Sequence, residues 1–264
     1  YLGKDGYLLE QFDKPNEENV AKNLEAINTF AEKYKNVKQY MLISPTAVNI
    51  LGSNLPMAAP AQNQQEYIDN YAQKLDSNIK FVDTYTTLLE HKKEDIFYRS
   101  DHHWTSLGAF YSYQKLADVM DLSKKDSDDY DIELVSNSFV GALSSESGYK
   151  TKKDKVKVYI PKDENDKVVV NYEEEQKKTA TLYESEKLEE KDKYQVFLGG
   201  NSYANSFVPF LTSHFSKIIL VDPRYYYEDI DELMKSENVD EVLYLYNANT
   251  FFSDSTLAPV LNNE

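Results

Sequence analysis

Short apolar runs separated by amphipathic helical patterns constrain this chain more than any other feature of its sequence. In the last third, such runs lie at 195–198, 217–221 and 241–246, each ending in a glycine, Asp-Pro or asparagine turn. Strands this short and this continuously apolar are typical of a parallel sheet covered by helices on both faces. The sequence therefore predicts a three-layer α/β fold with reactive side chains at the carboxyl ends of the strands.

The first half of the chain has the same alternation. Thr105 or Ser106 is a natural cap for a helical pattern that ends at Met120. A further helix is expected at 203–215, behind the last glycine turn. The other predicted elements are strands at 39–44 and 79–82 and helices at 17–35, 64–76, 84–92 and 228–234.

The composition changes between residues 123 and 194, which are dense in Lys, Asp, Glu and Ser. Short alternating runs at 155–160, 168–172 and 179–183 predict hairpin strands there. We interpret 1–264 as a single domain and 123–194 as a charged, β-rich insertion within it, because the α/β alternation resumes on the far side. The stretch at 139–145 is interpreted as a plain turn, with a cleft-lining role as the alternative.

Charge and composition argue against several classes of function. The formal net charge of −16 disfavours a nucleic-acid partner, because phosphate binding requires a concentrated basic surface. The chain has no cysteine, which excludes a disulfide framework, thiol catalysis and cysteine-ligated zinc. Asp101, His102 and His103 are metal-ligand residue types, yet adjacent residues rarely converge on one ion. We therefore predict neither a metal nor another cofactor.

Residue types that perform acyl transfer follow the predicted strands. Ser202 comes after a strand and two glycines and opens a helix, where backbone N–H groups can stabilise an oxyanion. Asn249 follows a later strand, and Asp101 and His103 lie beyond an earlier strand and its helix. A serine nucleophile requires an imidazole base, and the imidazole requires a carboxylate that fixes its tautomer. All three residue types are predicted at one edge of the sheet.

The order of these segments resembles an SGNH-type esterase or lipase that has been circularly permuted. The half that usually ends the SGNH order comes first here, from Lys80-Phe81-Val82-Asp83 through the stretch at 97–103 to Leu107-Gly108-Ala109. The half that usually begins it comes last, from Gly200-Asn201-Ser202 to Asn249. In this order and in these stretches the chain is similar to the bacterial DHHW family, which resembles the alginate O-acetyltransferases. The resemblance implies a flavodoxin-like parallel sheet.

The resemblance also assigns roles to the candidate triad. It implies that Ser202 is the nucleophile, His103 the base and Asp101 the residue that orients the base. One residue separates Asp101 from His103, as in the alginate-type enzymes. In the esterases, two residues separate the corresponding pair. Asn201 stands where the esterases usually carry Asp, a mostly structural position, so the triad is expected to survive the change.

Three further residues are candidates for binding the oxyanion or the substrate. Asn249 offers an amide donor at a strand end, Tyr203 follows the nucleophile, and Arg224 comes just past the strand at 217–221. A salt bridge to a neighbouring acid explains Arg224 at least as well. We expect His102 to face away from the catalytic imidazole and Trp104 to pack behind the catalytic loop.

The residues and the resemblance together predict serine-dependent acyl-ester chemistry on an extracytoplasmic polysaccharide. A sugar hydroxyl as acceptor would make the protein an O-acetyltransferase, and water would make it an O-acetylesterase. The resemblance further implies a membrane-bound partner that donates the acyl group. It also implies a bacterial cell-surface location, either secreted or anchored through a segment outside this chain. The alternative is a catalytically inactive glycan-binding or scaffold subunit of a polysaccharide modification or export complex.

Overall fold

The computed structural model describes residues 1–163, 169–171, 180–184, 194–198 and 202–264. Within them, no helix combines the length and the apolar character needed to cross a membrane. The predicted α/β alternation is confirmed. The helices are α1 Glu17–Lys33, α2 Ala47–Ile50, α3 Gln64–Ala72, α4 Tyr85–Glu90, α5 Ser106–Met120, α6 Ala142–Ser147, α7 Ser202–Phe207, α8 Ile230–Ser236, α9 Ala248–Ser253 and α10 Leu257–Asn262. The strands are β1 Lys38–Ser44, β2 Ile79–Phe81, β3 Tyr130–Phe139, β4 Asp154–Pro161, β5 Val169–Asn171, β6 Ala180–Glu184, β7 Tyr194–Leu198, β8 Lys217–Val221 and β9 Glu241–Asn247.

Among the described residues, seven strands form one sheet in the order β2-β1-β9-β7-β8-β6-β5. The pairs from β2 to β8 are all parallel. When the chain is read from β7, these strands follow one another as β7, β8, β9, β1 and β2. Their spatial order is then 2-1-3-4-5, which is the flavodoxin-like order. The sheet is therefore the predicted circular permutation of a doubly wound fold.

Helices cover both faces of the central strands. All seven residues of β9 are buried, and successive side chains of a strand point to opposite faces. On one face, the ring centroid of Tyr246 lies 5.3 Å from that of Phe251 in α9. Helices α3 and α1 pack beside α9, and α10 packs against α1. Helix α5 packs against both α4 and α7, and α7 contacts β9, so these three helices form a second layer. The structure is three-layered, as predicted.

The segment predicted as an insertion divides between two sheets. The three hairpin strands predicted there are confirmed as β4, β5 and β6. Strands β5 and β6 form an antiparallel hairpin that extends the main sheet through β8. Strands β3 and β4 form a separate two-stranded sheet. Strand β3 was not predicted, because most of it is exposed and its sequence therefore lacks a clean apolar alternation. The division into one domain with an insertion stays a prediction.

The helix expected at 203–215 is shorter than predicted. Helix α7 ends at Phe207 and is followed by a 3₁₀ turn at Val208–Phe210. Pro209 accounts for the early end, because proline lacks the N–H of a helical hydrogen bond and its ring clashes with the carbonyl four residues earlier. Helix α5, in contrast, begins where the sequence predicts, since the Thr105 side chain accepts the Gly108 N–H.

Candidate active site

Asp101 and His103 lie in a tight loop between α4 and α5. The loop closes on itself because the Tyr98 N–H donates to the His103 carbonyl at 3.2 Å and the Thr105 N–H donates to the Ile96 carbonyl at 2.9 Å. Within the loop, His103 Nδ1 is 2.5 Å from Asp101 Oδ1. The same oxygen accepts the His103 backbone N–H at 2.9 Å. The one-residue spacing thus lets one carboxylate oxygen hold both the ring and the backbone of the histidine.

The other oxygen of Asp101 is held by the start of α6. The Ala142 N–H donates to Oδ2 at 2.8 Å, and the adjacent Gly141 N–H donates to Ser100 Oγ at 2.9 Å. Position 141 leaves no room for a side chain, since a Cβ there would lie 2.3 Å from Asp101 Cβ. The stretch at 139–145 is therefore part of the site, and its interpretation as a plain turn was wrong.

A buried carboxylate from β4 fixes the backbone just before Asp101. Asp154 accepts the N–H groups of Arg99 and Ser100 and the Ser100 hydroxyl, at distances between 2.6 and 3.1 Å. Its residue is only 3% exposed. The charged segment between 123 and 194 therefore contributes both Asp154 and α6 to the site, although its composition predicted a largely solvated element.

The Asp101 carboxyl is held in its ionised form. Burial alone would raise the pKa of Asp101. Hydrogen bonds from the His103 ring, the Ala142 N–H and the His103 N–H outweigh burial and hold that pKa well below its ordinary range. Because an ionised carboxylate only accepts, His103 Nδ1 carries the shared proton and Nε2 remains to accept another. A general base requires this tautomer.

His102 lies against His103 and does not face away from it, which corrects the expectation from sequence. The two ring centroids are 4.0 Å apart, and His102 Nδ1 is 3.8 Å from Asp101 Oδ1. The closed loop overrides the strand-like alternation on which the expectation depended. Burial, together with the neighbouring His103, lowers the pKa of His102 and favours its neutral form.

The same three residues form a candidate metal site. One ligand atom from each of Asp101, His102 and His103 lies within 4.8 Å of the other two. However, Asp101 Oδ1 and His103 Nδ1 are already engaged with each other, so an ion bound through that pair would have to break their hydrogen bond. The expectation of no metal stays a prediction.

Helix α7 packs against the back of the loop. Trp104 is buried there as predicted, with its ring centroid 4.6 Å from that of Tyr203 and its Nε1 donating to Ser206 Oγ at 2.7 Å. Tyr203 is also fully buried, and its hydroxyl donates to the His102 carbonyl at 2.9 Å. The ring and hydroxyl of Tyr203 thus support the loop from inside the core, and a role for this residue in binding the oxyanion or the substrate stays a prediction.

Ser202 is the first residue of α7. It precedes Tyr203 directly, and the ring centroid of Tyr203 is 5.4 Å from that of His103. The side chain of Ser202 lies outside the described residues, as does the turn at 199–201 with Asn201. The role of Ser202 as a nucleophile therefore stays a prediction.

Asn249 lies in a polar network at the start of α9. Its Oδ1 accepts from Gln64 Nε2 at 2.6 Å, and its Nδ2 donates to Glu10 Oε2 at 2.8 Å and to the Gln11 carbonyl at 3.1 Å. Burial raises the pKa of Glu10, and the hydrogen bond from Asn249 opposes that rise. Because Asn249 Nδ2 already has two acceptors, it must give up one of them to donate to an oxyanion.

Arg224 is paired with a neighbouring acid. Its Nε and Nη2 donate to the two carboxylate oxygens of Asp222 at 2.9 and 2.6 Å, which is the salt bridge that stood as the alternative. The arginine nevertheless lines the same groove as His102 and Asn249. A role for Arg224 in binding substrate stays a prediction.

Among the described residues, two cavities flank the loop. The first, the polar groove, has a volume of about 690 Å³ and is lined in part by Glu10, His102, Arg224 and Asn249. The second, the apolar cavity, has a volume of about 350 Å³ and includes His103 in its wall. Its other walls are mostly aromatic or aliphatic and include Tyr98, Trp104, Phe139, Val156, Val158 and Phe210. The loop thus separates a space suited to a polar ligand from an apolar one.

Residues 1–222 match the family described as SGNH hydrolase-like domain, acetyltransferase AlgX. This chain belongs to that family. Its sequence matches no curated protein.

Solved structures share the AlgX-type fold. A DHHW family protein from Eubacterium siraeum is 21% identical, with a TM-score of 0.80 over 97% of this chain and 91% of that one. Bacillus cereus PatB1, solved with a sulfonyl adduct, is 20% identical, with a TM-score of 0.77 over 97% and 98%. The O-acetyltransferase domain of Pseudomonas putida AlgJ is 15% identical, with a TM-score of 0.61 over 100% and 99%. The resemblance to the DHHW and SGNH proteins is confirmed.

Gly141 was within reach of the sequence, since a cleft-lining role was the alternative for the stretch at 139–145. Three other residues that support this AlgX-type site carry no such signal. Glu10 and Gln64 reach Asn249 from segments far away in the chain, and Asp154 comes from the charged segment. Each is an ordinary residue in its local sequence. Only the fold gives it a partner.

Proposed function

We propose that this protein uses Ser202, His103 and Asp101 for acyl-ester chemistry on an extracytoplasmic polysaccharide, as an O-acetyltransferase or an O-acetylesterase. The observation that carries the proposal is the 2.5 Å hydrogen bond between His103 Nδ1 and Asp101 Oδ1. Membership of a family of SGNH hydrolase-like acetyltransferase domains supports it. An imidazole held in this tautomer is what a serine nucleophile needs beside it.

In the proposed reaction, Ser202 Oγ attacks the acyl carbonyl while His103 Nε2 takes the hydroxyl proton. Asp101 stabilises the imidazolium that results, and the protonated imidazole then gives its proton to the leaving alkoxide. An acyl-serine remains. A sugar hydroxyl or water attacks it in the second half, and His103 again accepts the proton before it returns to Ser202 Oγ.

Two donors are proposed for the oxyanion that forms on the carbonyl oxygen. The Ser202 backbone N–H is one, because a residue at the start of a helix has an N–H with no partner inside the helix. Asn249 is the other. Its Nδ2 contacts Glu10 and Gln11, so we expect substrate binding to displace one of these acceptors.

The polysaccharide, the membrane-bound acyl donor and the extracytoplasmic location are parts of the same proposal. The volume of the polar groove supports a sugar ligand, since small-molecule sites usually measure about 300–1,000 Å³. The likeness to the AlgJ O-acetyltransferase domain supports acetyl transfer. Location is tested by labelling lysines of intact cells with a membrane-impermeant reagent. Labelling that occurs only after lysis would contradict an external site.

Intact mass after incubation with an aryl acetate tests the nucleophile. We expect an acetyl adduct or ester turnover with the unmodified protein and neither with Ser202→Ala. Phenylmethylsulfonyl fluoride is a second probe, chosen because the PatB1 structure carries a sulfonyl adduct. Its adduct should also depend on Ser202. Added oligosaccharide then separates a transferase, which acetylates the sugar, from an esterase, which releases acetate.

A non-catalytic glycan-binding subunit is the second candidate. It is favoured by one observation, namely that Asn249 Nδ2 is already hydrogen-bonded to Glu10 and Gln11. A folded protein that forms no adduct with either reagent and turns over no ester would support this candidate and contradict the enzyme proposal.

A further inference from the structure

We propose that the glycan bound beside the histidine–aspartate loop is uncharged, and that it lies in a trough running from His102 to Tyr227. A polyuronate is rejected. The inference rests on the proposed function only in taking a glycan as the ligand, and it adds the charge class of that glycan and the surface that selects it.

The trough is made of two grooves that share a wall. The polar groove includes His102 and Arg224, and a second groove of about 500 Å³ includes Arg224 and Tyr227. Ser255 and Thr256 line both as well, so the two grooves are neighbours across Arg224 and this pair. A linear ligand of several sugar units that passes over these three residues reaches from the loop to Tyr227.

An exposed tyrosine stands at the far end of the trough. Tyr227 lines the second groove and is 85% exposed, and its hydroxyl donates to the Arg224 carbonyl. The neighbouring Tyr226 is buried and anchors the turn. A flat aromatic face that stays in water on an anchored turn suits stacking against the apolar face of a sugar ring.

The charges along the trough select against anions. Among the described residues that line it, the basic side chains are Lys14 and Arg224, and both have acidic partners, Glu17 at 3.2 Å and Asp222 at 2.6 Å. The acidic side chains that line it are Glu10, Asp13, Glu228, Asp229, Asp254 and Glu264.

This negatively charged surface repels a ligand that carries one carboxylate on every sugar unit. The formal net charge of −16 adds to the repulsion at long range. The resemblance to alginate-modifying enzymes implies such a polyanion as substrate. The charges of the trough instead favour a glycan whose sugars are uncharged, with hydroxyl and amide groups to pair with the polar walls.

Calorimetry with Ser202→Ala tests the proposal, because this variant reports binding whether or not Ser202 is a nucleophile. The probes are a tetramer of N-acetylglucosamine and a tetramer of mannuronate, at low salt. We expect the neutral tetramer to bind at least tenfold more tightly. Equal or tighter binding of the uronate, or no binding of either sugar at millimolar concentration, would overturn the proposal.

Variants locate the binding surface. In the Ser202→Ala background, Tyr227→Ala should raise the Kd of the neutral tetramer about tenfold. Tyr149→Ala, at an exposed tyrosine that lines neither groove, should not change it. Asp13→Lys with Glu228→Lys should tighten uronate binding. An unchanged Kd in Tyr227→Ala, with an unchanged melting temperature, contradicts the trough.

The failures of the two proposals are distinguishable. If the calorimetry contradicts the trough, the unmodified protein should still turn over the aryl acetate. If the serine chemistry is contradicted, the preference for the neutral tetramer should remain, because binding is measured without an acyl group.

Discussion

A single carboxylate sets the chemistry of the loop. Asp101 Oδ1 accepts from the ring and the backbone of His103, while Oδ2 accepts the Ala142 N–H. All three hydrogen bonds have a negatively charged acceptor, and each is therefore stronger than a hydrogen bond between neutral groups. The charge of Asp101, and not only its shape, therefore holds the histidine in position.

Replacing Asp101 with Asn keeps the shape and removes the charge. The amide can accept on one side only. With its nitrogen towards His103, the backbone and the ring of His103 both lose their acceptor, and with it the partner that fixes the tautomer. With its nitrogen towards α6, the Ala142 N–H loses its acceptor. We expect kcat for an aryl acetate to fall on the order of 10⁴-fold. Far-ultraviolet circular dichroism controls for folding, and a variant that keeps more than a tenth of the turnover contradicts the assigned role.

His102 gives the stability of the protein a dependence on pH that can be isolated. Burial and the neighbouring His103 lower the pKa of His102 in the folded protein. Below the ordinary histidine pKa of about 6.5, the unfolded chain therefore binds a proton that the folded chain does not, and stability falls as the pH drops from 7 to 5.

Urea unfolding of the unmodified protein and of His102→Gln measures this contribution. Glutamine does not titrate, so the variant should lose less stability between pH 7 and pH 5. Between pH 7 and pH 8.5, His102 is neutral in the folded and in the unfolded protein. The free energies of unfolding of the two proteins should therefore change in parallel. An equal loss in both proteins between pH 7 and pH 5 shows that the pKa of His102 is not lowered.

At the scale of elements, the site is assembled where the charged segment meets the sheet. Helix α6 brings the Ala142 N–H to Asp101, and β4 brings Asp154 to the backbone at Arg99 and Ser100. These elements come from the part of the chain whose composition predicted a solvated insertion. Their contacts with the loop make that part of the chain a support of the site.

Gly141→Ala tests the close approach of α6 to Asp101. A Cβ at position 141 would lie 2.3 Å from Asp101 Cβ, which forces α6 and the loop apart. We expect turnover to fall at least tenfold and the free energy of unfolding to drop by about 1–3 kcal/mol.

Gly52→Ala is the matched control for that substitution, because the added Cβ meets no atom within 4 Å apart from its own helix and chain neighbours. It should leave turnover and stability near those of the unmodified protein. If Gly141→Ala behaves like Gly52→Ala in both measurements, α6 does not constrain the carboxylate.

At the scale of the whole molecule, β9 joins the two halves of the permuted chain. It pairs with β1 from the first half and with β7 from the second. Ser202 begins α7, the element that follows β7 in the chain, and Asn249 follows β9 in α9. The order of the sheet reverses between these two strands, which is where ligands bind in doubly wound folds. The permutation thus leaves the site at the usual edge.

Leu243→Ala measures how far the core depends on that strand. Leu243 is fully buried in β9, so truncation leaves a cavity that should cost about 2–5 kcal/mol in the free energy of unfolding. Leu134→Ala, at an exposed position of β3, should cost less than about 0.5 kcal/mol. Urea unfolding compares the two, and equal costs would show that β9 is not the centre of the fold.

The sequence by itself determined the alternation of strands and helices, the permuted order and the pair Asp101 and His103. Each of these is a local signal, since apolar periodicity, chain order and a one-residue spacing can be read without knowing what packs where. Those predictions agree with the sheet order and with the 2.5 Å contact between the two residues.

Only the tertiary structure decided the partners of the other polar residues. Tyr203 is buried behind the loop, Asn249 is bound by Glu10 and Gln64, and Arg224 is paired with Asp222. A position at a strand end brings a side chain to the right edge of the sheet. It does not fix which hydrogen-bond partner the side chain takes, because those partners arrive from segments that are distant in the chain and meet only in the folded state.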